Sequence, residues 1–531
     1  MKYLIYDFLG RSNDLSDLLP NEKFATTAAI IKAAGEPVEV WDGANINTLL
    51  EYHPNIGKDV ERLEFHDQNA SAQYTQLQKA EAQRIQAGNF DIIFVNLWRG
   101  TGFKFSVELV TRLKEAEHPP RVYAFGQNVD RLREYIYQVA PCFDGLIHGQ
   151  GYDSIEAIVQ GKPDEAVPNM IRLVNGKAVA NEEKVVDSVN RLPEPIYDAD
   201  IYKGIEGKFP IYPLSLSNEA CPFQCPFCMR PASYGTKMVK KDVAKVIGEL
   251  KYLMDKYNAR YFRIKDSTPP HLALTEFARA IIDNGLHEKG IHFSGFSRVD
   301  VGSADDFPLL KKAGIETLFF GIETLDENNR KRIRKKYPYE KLKETLKRAH
   351  DAGIFVIGSF MCPLPGETKE SIRNTLERMK EIKPYIDSVL IQPSGVYPLT
   401  EWHRKPEEHG IKLAPDYEME ATVYPVKYVV PIRYWKPFPF TYAMMGKTAD
   451  EVTFKDIVKT FEYFAKRVVL RIGIPFGVQD YDHIGALLMK QDPRKFTRKV
   501  IKSLTKTKYK KIKKIIDEAH RVVEEEVRRM R

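Results

Sequence analysis

The chain has 531 residues, 43% of them apolar, and a net charge of +8, which suits about three domains with ample core and by itself implies no nucleic-acid partner. No stretch approaches the ~18 uninterrupted apolar residues of a membrane span, and Met1-Lys-Tyr-Leu-Ile-Tyr-Asp-Phe8 reads as an immediate strand rather than a targeting segment. With five cysteines, three of them in one short run, a disulfide framework is disfavoured and a reducing, cytoplasmic setting is expected.

Residues 1 to about 160 alternate strand and helix signals: Tyr3 to Phe8, a helix at Lys23 to Ala34, Val38 to Trp41, a long helix near Ala70 to Ala87, Asp91 to Asn96, Phe105 to Glu115, Arg121 to Phe125, Val129 to Val139 and Gly145 to His148. Such alternation predicts α/β architecture, a doubly wound parallel sheet with helices on both faces and ligands beyond the carboxyl ends of its strands. The strand-end candidates are Asp42 to Asn45, Asn96 to Gly102 with Trp98, Gly100 and Thr101, and Phe125-Gly126-Gln127-Asn128. No Gly-rich phosphate fingerprint follows the first strand, which argues against a nicotinamide or nucleotide site.

Residues 161–212, broken by prolines such as those of Leu192-Pro-Glu-Pro195, read as a linker. From 213 to 395 the pattern becomes six strand–helix units, with strands at Pro213 to Ser217, Tyr261 to Asp266, His292 to Val299, Thr317 to Thr324, Ile354 to Met361 and Ser388 to Pro393. Six parallel strands with right-handed crossovers predict a partial (β/α)6 TIM-type barrel. Residues 396–531 read as a mainly helical carboxy-terminal accessory domain. It holds an aromatic and Met-rich stretch from Tyr434 to Met445 and a basic tract from Arg494 to Lys514. Ile512, Ile515, Ile516, Ala519, Val522, Val523 and Val527 recur with helical spacing there. A basic amphipathic helix is the expected result, its charged face solvated by default and a candidate for peripheral contact with an anionic surface. A tail serving only surface contact would be dispensable for catalysis.

Cys221, Cys225 and Cys228 lie in Cys221-Pro-Phe-Gln-Cys225-Pro-Phe-Cys228, just after the first barrel strand. Three local thiolates at this spacing can wrap one face of an iron–sulfur cube and leave a fourth iron open. Structural zinc sites take four protein ligands, and no second Cys or Cys/His pair follows at the usual distance. Cys142 and Cys362 read as plain buried cysteines.

The cysteine run with the six strand–helix units resembles the radical S-adenosylmethionine (radical SAM) family. The sheet before it, ending in His148-Gly149-Gln150-Gly151-Tyr152, resembles the cobalamin-binding domain of one large subclass. Two departures stand out. The terminal motif of that subclass usually reads Gly-Glu-Gly-Glu, so both acidic residues are missing. No Asp-x-His-x-x-Gly follows the first strand, and His53 reads as a loop histidine.

The resemblance implies a [4Fe–4S] cluster on Cys221, Cys225 and Cys228, reductive cleavage of S-adenosylmethionine to a 5'-deoxyadenosyl radical, and a low-potential donor of ferredoxin or flavodoxin type. It also implies that Arg298 grips the S-adenosylmethionine carboxylate and that Glu323 lies near its ribose or amino group, with Asp266 and Ser267 as further candidates. Phe360-Met-Cys-Pro-Leu-Pro-Gly-Glu-Thr368 is similar to the segment ending the family's fifth strand. Cobalamin, on Asn96, Trp98, Gly100, Thr101, Gly126 and Gln127, would make the chain a methyltransferase acting on an unactivated carbon of a small molecule, lipid or peptide. Without cobalamin, radical ring closure or carbon–carbon bond formation is the alternative, and a non-catalytic iron–sulfur electron carrier a further one.

Overall fold

The structure is a computed structural model and describes residues 1–8, 19–43, 72–97, 101–184, 189–203, 211–418, 435, 437–505 and 508–530. In β1 (Tyr3–Asp7) and β3 (Ile92–Asn96) every residue is buried although successive side chains take opposite faces. Tyr3, Ile5 and Phe94 join one core, while Leu4, Tyr6, Ile93 and Val95 join another. A sheet buried on both sides needs helices on both sides. α1 (Glu22–Ala33) and α5 (Tyr152–Val159) cover the first face; α2 (Ala72–Ala87), α3 (Thr101–Lys114) and α4 (Gln127–Leu132) cover the second.

With β2 (Val38–Asp42), β4 (Arg121–Phe125) and β5 (Gly145–Ile147), the parallel strands run in the order β2-β1-β3-β4-β5. The winding reverses between β1 and β3, where Asp7 lies beside Asn96. In open sheets of this order the crevice at the reversal is the expected ligand position.

Residues 161–212 do more than link. β6 (Met170–Val174) and β7 (Lys177–Ala180) form an antiparallel hairpin on the β5 edge, and β8 (Tyr202–Lys203) pairs with β2 at the other edge. The sequence signal for β8 is only two residues long. Tyr202 holds it in place, fully buried, its hydroxyl donating to Asp42 and accepting from the Asn21 N–H at 2.9 Å.

The second sheet is wholly parallel and in chain order, from β9 (Tyr212–Leu214) through β10 (Tyr261–Ile264), β11 (His292–Ser297), β12 (Ile315–Glu323) and β13 (Phe355–Met361) to β14 (Ser388–Gln392). Helices between the strands include α6 (Arg230–Tyr234), α7 (Val243–Tyr257), α8 (Ala273–Asp283), α9 (Phe307–Lys312), α10 (Tyr339–Asp351) and α11 (Lys369–Ile382). Phe262 and Phe293 face these helices, with Phe277 of α8 edge-on to Phe293 at 5.3 Å. Thr368 caps α11 through the Ser371 N–H at 3.0 Å, which explains the Pro-Gly-Glu-Thr turn without catalysis.

Asp305, after β11, is buried and accepts from the Thr275 hydroxyl at 3.0 Å. Burial pushes its carboxyl up to about 6. A raised folded value means that the unionised form is favoured in the native state, so this contribution to stability is full below the unfolded value and is lost as pH rises through about 6. Wild type should therefore gain about 1 kcal/mol over Asp305→Asn between pH 7 and pH 5, measured by urea unfolding at both values. An identical pH dependence in the two proteins would refute the assignment.

After the barrel come α12 (Phe454–Lys466), α13 (Asp480–Leu488), α14 (Pro493–Thr505) and α15 (Tyr509–Met530). α13 lies across the amino-terminal halves of the strands: Asp480 accepts from Arg263 Nε at 2.8 Å, and His483 stacks on Phe355 at 4.0 Å. The apolar stripe of α15 is not a free surface. Ile512, Ile515, Ile516, Ala519, Val523 and Val527 are all buried in the core that includes Tyr481, Ile484 and Leu488 of α13. The tail presents only its charged face, which leaves that apolar stripe unable to enter a bilayer. Among the described residues no helix is long and apolar enough to cross a membrane.

The aromatic stretch likewise packs one unit on another. Trp435 lies against Phe461 at 5.1 Å, Phe438 on Phe440 at 5.3 Å, and the buried Tyr442 hydroxyl donates to the Pro363 carbonyl at 3.1 Å. Tyr434 and Lys506 lie outside the described residues.

Candidate active site

The loop of Cys221, Cys225 and Cys228 leaves β9 at the carboxyl end of the barrel. Asp266 ties that strand end to β10: fully buried, it accepts from the Leu216 N–H at 2.7 Å and from the Ser217 hydroxyl. Burial raises its carboxyl to about 6. Asp266 is thus a clip under the cysteine loop, and Ser267 beside it is half-buried.

Cys221 and Cys225 are buried and Cys228 half-buried, and none is in a disulfide. Each sulfur has a polar neighbour: Cys221 Sγ lies 3.7 Å from Thr268 Oγ1, Cys225 Sγ accepts from Arg298 Nη1 at 3.2 Å, and Cys228 Sγ accepts from the Arg230 N–H at 3.4 Å. Burial, then the Cys225 and Cys221 charges, push the Cys228 thiol up to about 11, so a cation is needed to hold it as thiolate. Among the described residues no three His, Cys, Asp or Glu converge as they would on a single ion. A four-iron cube instead spreads its thiolates over separate irons, and the donor set fits that group.

The loop is clamped from outside. Arg334 donates to the Gln224 carbonyl at 3.0 Å and grips Glu401 through two bonds of 2.6 Å. Trp402, 2% exposed, donates its backbone N–H to the Pro226 carbonyl at 3.1 Å and packs its ring on Phe227 at 5.7 Å. Residues after the barrel therefore shield the loop from water.

A charged network binds the same loop to the first sheet. Glu219 pairs with Arg230 at 3.1 Å and with Lys265 at 3.0 Å, and Lys265 reaches Glu22 of α1 at 2.8 Å. Burial opposes ionisation of Glu219, yet Lys265 and Arg230 hold its carboxyl below the ordinary range. These residues escaped sequence reasoning. Only the position of Glu219 and Arg230 on either side of the cysteine run hinted at them.

At the carboxyl edge of the first sheet, Gly149 is pinned between Lys23 Nζ on its carbonyl at 2.9 Å and Asp130 on its N–H at 2.7 Å. A Cβ on Gly149 would stand 3.3 Å from the Ser233 carbonyl of α6. Gln150 donates to the Asn218 carbonyl, and Arg131 Nε lies 2.9 Å from Met229 Sδ. The segment that departs from Gly-Glu-Gly-Glu thus touches the residues flanking the cysteine run.

Asn96 is buried, and Gly126, at φ +99°, leaves room for it: a Cβ there would fall 2.0 Å from Asn96 Oδ1. Gln127 is exposed at the start of α4, and Thr101 opens α3. Trp98, Gly100 and His53 lie outside the described residues.

Arg298 and Glu323 sit at the ends of β11 and β12, but neither presents a free charge. Arg298 closes its fork on Asp300 at 2.9 and 2.8 Å. Glu323, at φ +66°, pairs with buried Lys335 at 3.0 Å and accepts from the Ser359 hydroxyl at 3.3 Å. Burial, then the Glu323 and Asp300 charges, push the nearby Tyr337 hydroxyl well above its ordinary value, so the four charged groups share one neighbourhood. Cys142, its thiol raised to about 11 by burial, lies against the Val107 carbonyl at 3.8 Å. Cys362 is buried beside Glu367 and Tyr442.

Residues 216–379 match the family model of the radical SAM superfamily. Residues 216–379 thus carry a radical SAM domain, with a doubly wound sheet in front of the barrel. The chain is 25% identical over 351 residues to an uncharacterized methyltransferase of Pyrococcus horikoshii, covering 64% of this chain and 74% of that one. It is also 25% identical over 264 residues to an anaerobic magnesium-protoporphyrin IX monomethyl ester cyclase of Cereibacter sphaeroides, covering 47% of this chain but only 42% of that protein. Its fold is similar to that of the radical S-adenosylmethionine methyltransferase TsrM from Kitasatospora setae, solved with cobalamin and a [4Fe–4S] cluster, at TM-score 0.66 and 12% identity over 95% of this chain and 99% of that one. The cobalamin-dependent radical enzyme OxsB matches at TM-score 0.56 and 13% identity over 96% of this chain and 71% of that one.

Proposed function

We propose that the chain is a cobalamin-dependent radical SAM methyltransferase acting on an unactivated carbon. One observation carries the cobalamin part: the carboxyl edge of a sheet wound β2-β1-β3-β4-β5 is turned onto the cysteine loop, through Gly149 at Ser233 and Gln150 at Asn218. A group held beyond those strand ends would therefore stand beside the cluster. The cluster with S-adenosylmethionine supplies a carbon radical generator, and cobalamin supplies a methyl carrier.

The protein's own part is position and exclusion of water. Cys221, Cys225 and Cys228 would hold the cluster. Thr268, Arg298 and the Arg230 N–H orient their sulfurs, while Trp402, Phe227 and the Arg334–Glu401 clamp keep the loop dry. The Glu22–Lys265–Glu219–Arg230 chain fixes the first sheet against the loop, so the two cofactor positions keep one spacing. The strand-end loops at Asn96 and Gly126-Gln127 would line the cobalamin side. The electron donor in this reading is of ferredoxin or flavodoxin type.

Anaerobic purification with excess hydroxocobalamin, followed by an ultraviolet–visible spectrum and cobalt analysis, tests the proposal. Stoichiometric cobalt is expected, with S-adenosylhomocysteine formed alongside 5'-deoxyadenosine when substrate is supplied. Retention of the iron–sulfur cluster without cobalt would reject methyl transfer in favour of ring closure or carbon–carbon coupling.

A further inference from the structure

Arg298 was expected to grip a ligand carboxylate, because a guanidinium meets a carboxylate through two parallel bonds. In the structure that edge is already filled. Nε and Nη2 donate to the two oxygens of Asp300 at 2.9 and 2.8 Å, and the remaining Nη1 donates to Cys225 Sγ at 3.2 Å. The guanidinium carbon lies over Phe223, 3.8 Å from the ring centroid, and Arg298 is 6% exposed. Three contacts on three sides leave the group one orientation.

We propose that Arg298 is a positioning residue of the cluster, holding Cys225 Sγ and raising the cluster's reduction potential, and is not the clamp for the S-adenosylmethionine carboxylate. The inference rests on the reading that Cys225 ligates a [4Fe–4S] cluster. Reduction adds one electron, taken from the external low-potential donor, and leaves more negative charge on the sulfurs. A hydrogen bond to a ligating sulfur stabilises that form more than the oxidised one, which moves the potential upward. Asp300 offsets most of the guanidinium's net charge, so the effect comes chiefly from the directed N–H. Asp300 thereby acts as the orienter, as a carboxylate does behind a metal-bound histidine. Phe223, inside the cysteine run, covers the other face of the plane.

The test is a dithionite potentiometric titration of anaerobically reconstituted wild type, Arg298→Gln and Arg298→Lys, followed by electron paramagnetic resonance, with S-adenosylmethionine affinity measured on the same samples. Arg298→Gln should keep its iron and shift to a more negative midpoint. Arg298→Lys, whose single ammonium cannot span both Asp300 and Cys225, should fall between it and wild type. A glutamine variant with an unchanged midpoint but weakened S-adenosylmethionine binding would overturn the proposal and restore the clamp. If the glutamine variant loses its iron, the lysine variant decides: a lowered midpoint supports the proposal and a wild-type midpoint rejects it. A wild-type protein that holds no reducible cluster would instead overturn the reading beneath, and the inference with it.

Discussion

Alanine at Cys221, Cys225 or Cys228 is expected to abolish both cluster assembly and formation of 5'-deoxyadenosine from S-adenosylmethionine. Three thiolates are the whole local ligand set, since Cys142, half-buried, and Cys362, buried, lie against other parts of the fold. Losing one leaves two protein ligands on a cube that needs three. The fold should survive, because the loop is also held by Arg334, Glu401, Trp402 and the Glu219 pairs. Iron and sulfide analysis, an electron paramagnetic resonance spectrum and product chromatography read the result, with circular dichroism as the folding control. Wild-type cleavage by any of the three variants would remove that cysteine from the cluster.

Removal of residues 491–531 is expected to be the second large effect, and it concerns the fold. The sequence suggests a dispensable basic tail. In the structure, Ile512, Ile515, Ile516, Val523 and Val527 of α15, with Phe496 and Val500 of α14, cover the outer side of α13. α13 in turn ties its Asp480 to Arg263 and its His483 to Phe355 of the barrel. The five branched side chains of α15 alone, at about 1.5–3 kcal/mol each, amount to on the order of 10 kcal/mol. That is comparable with the net stability of a whole domain, about 5–15 kcal/mol. The truncated chain should be insoluble or fail to assemble the cluster, as judged by soluble yield and iron content. A soluble truncated protein with wild-type cluster content and cleavage would refute the structural role. By contrast, replacing exposed Lys510 and Lys514 with Gln touches only the charged face and should leave both readouts unchanged.

Much of this was legible in the sequence for a plain reason. Strand–helix alternation and the period of apolar residues are local properties, so β1, β3, β4 and all six barrel strands lie close to where the pattern puts them. The cysteine spacing is local too, since its chemistry needs only one short loop. What lies far apart in the chain was not legible. β8 is two residues held by a tyrosine hydroxyl on Asp42, and no periodicity marks it. Strand-end position singled out Arg298 and Glu323, but Asp300, Cys225 and Lys335 decide what their charges do, and only folding brings Cys225 to Arg298 across 73 residues. The same holds for the tail: its amphipathic pattern determines a helix with one apolar face, while the tertiary structure decides that the face meets α13 rather than a membrane. Helical periodicity records that a face must be buried, and long-range packing alone determines against what.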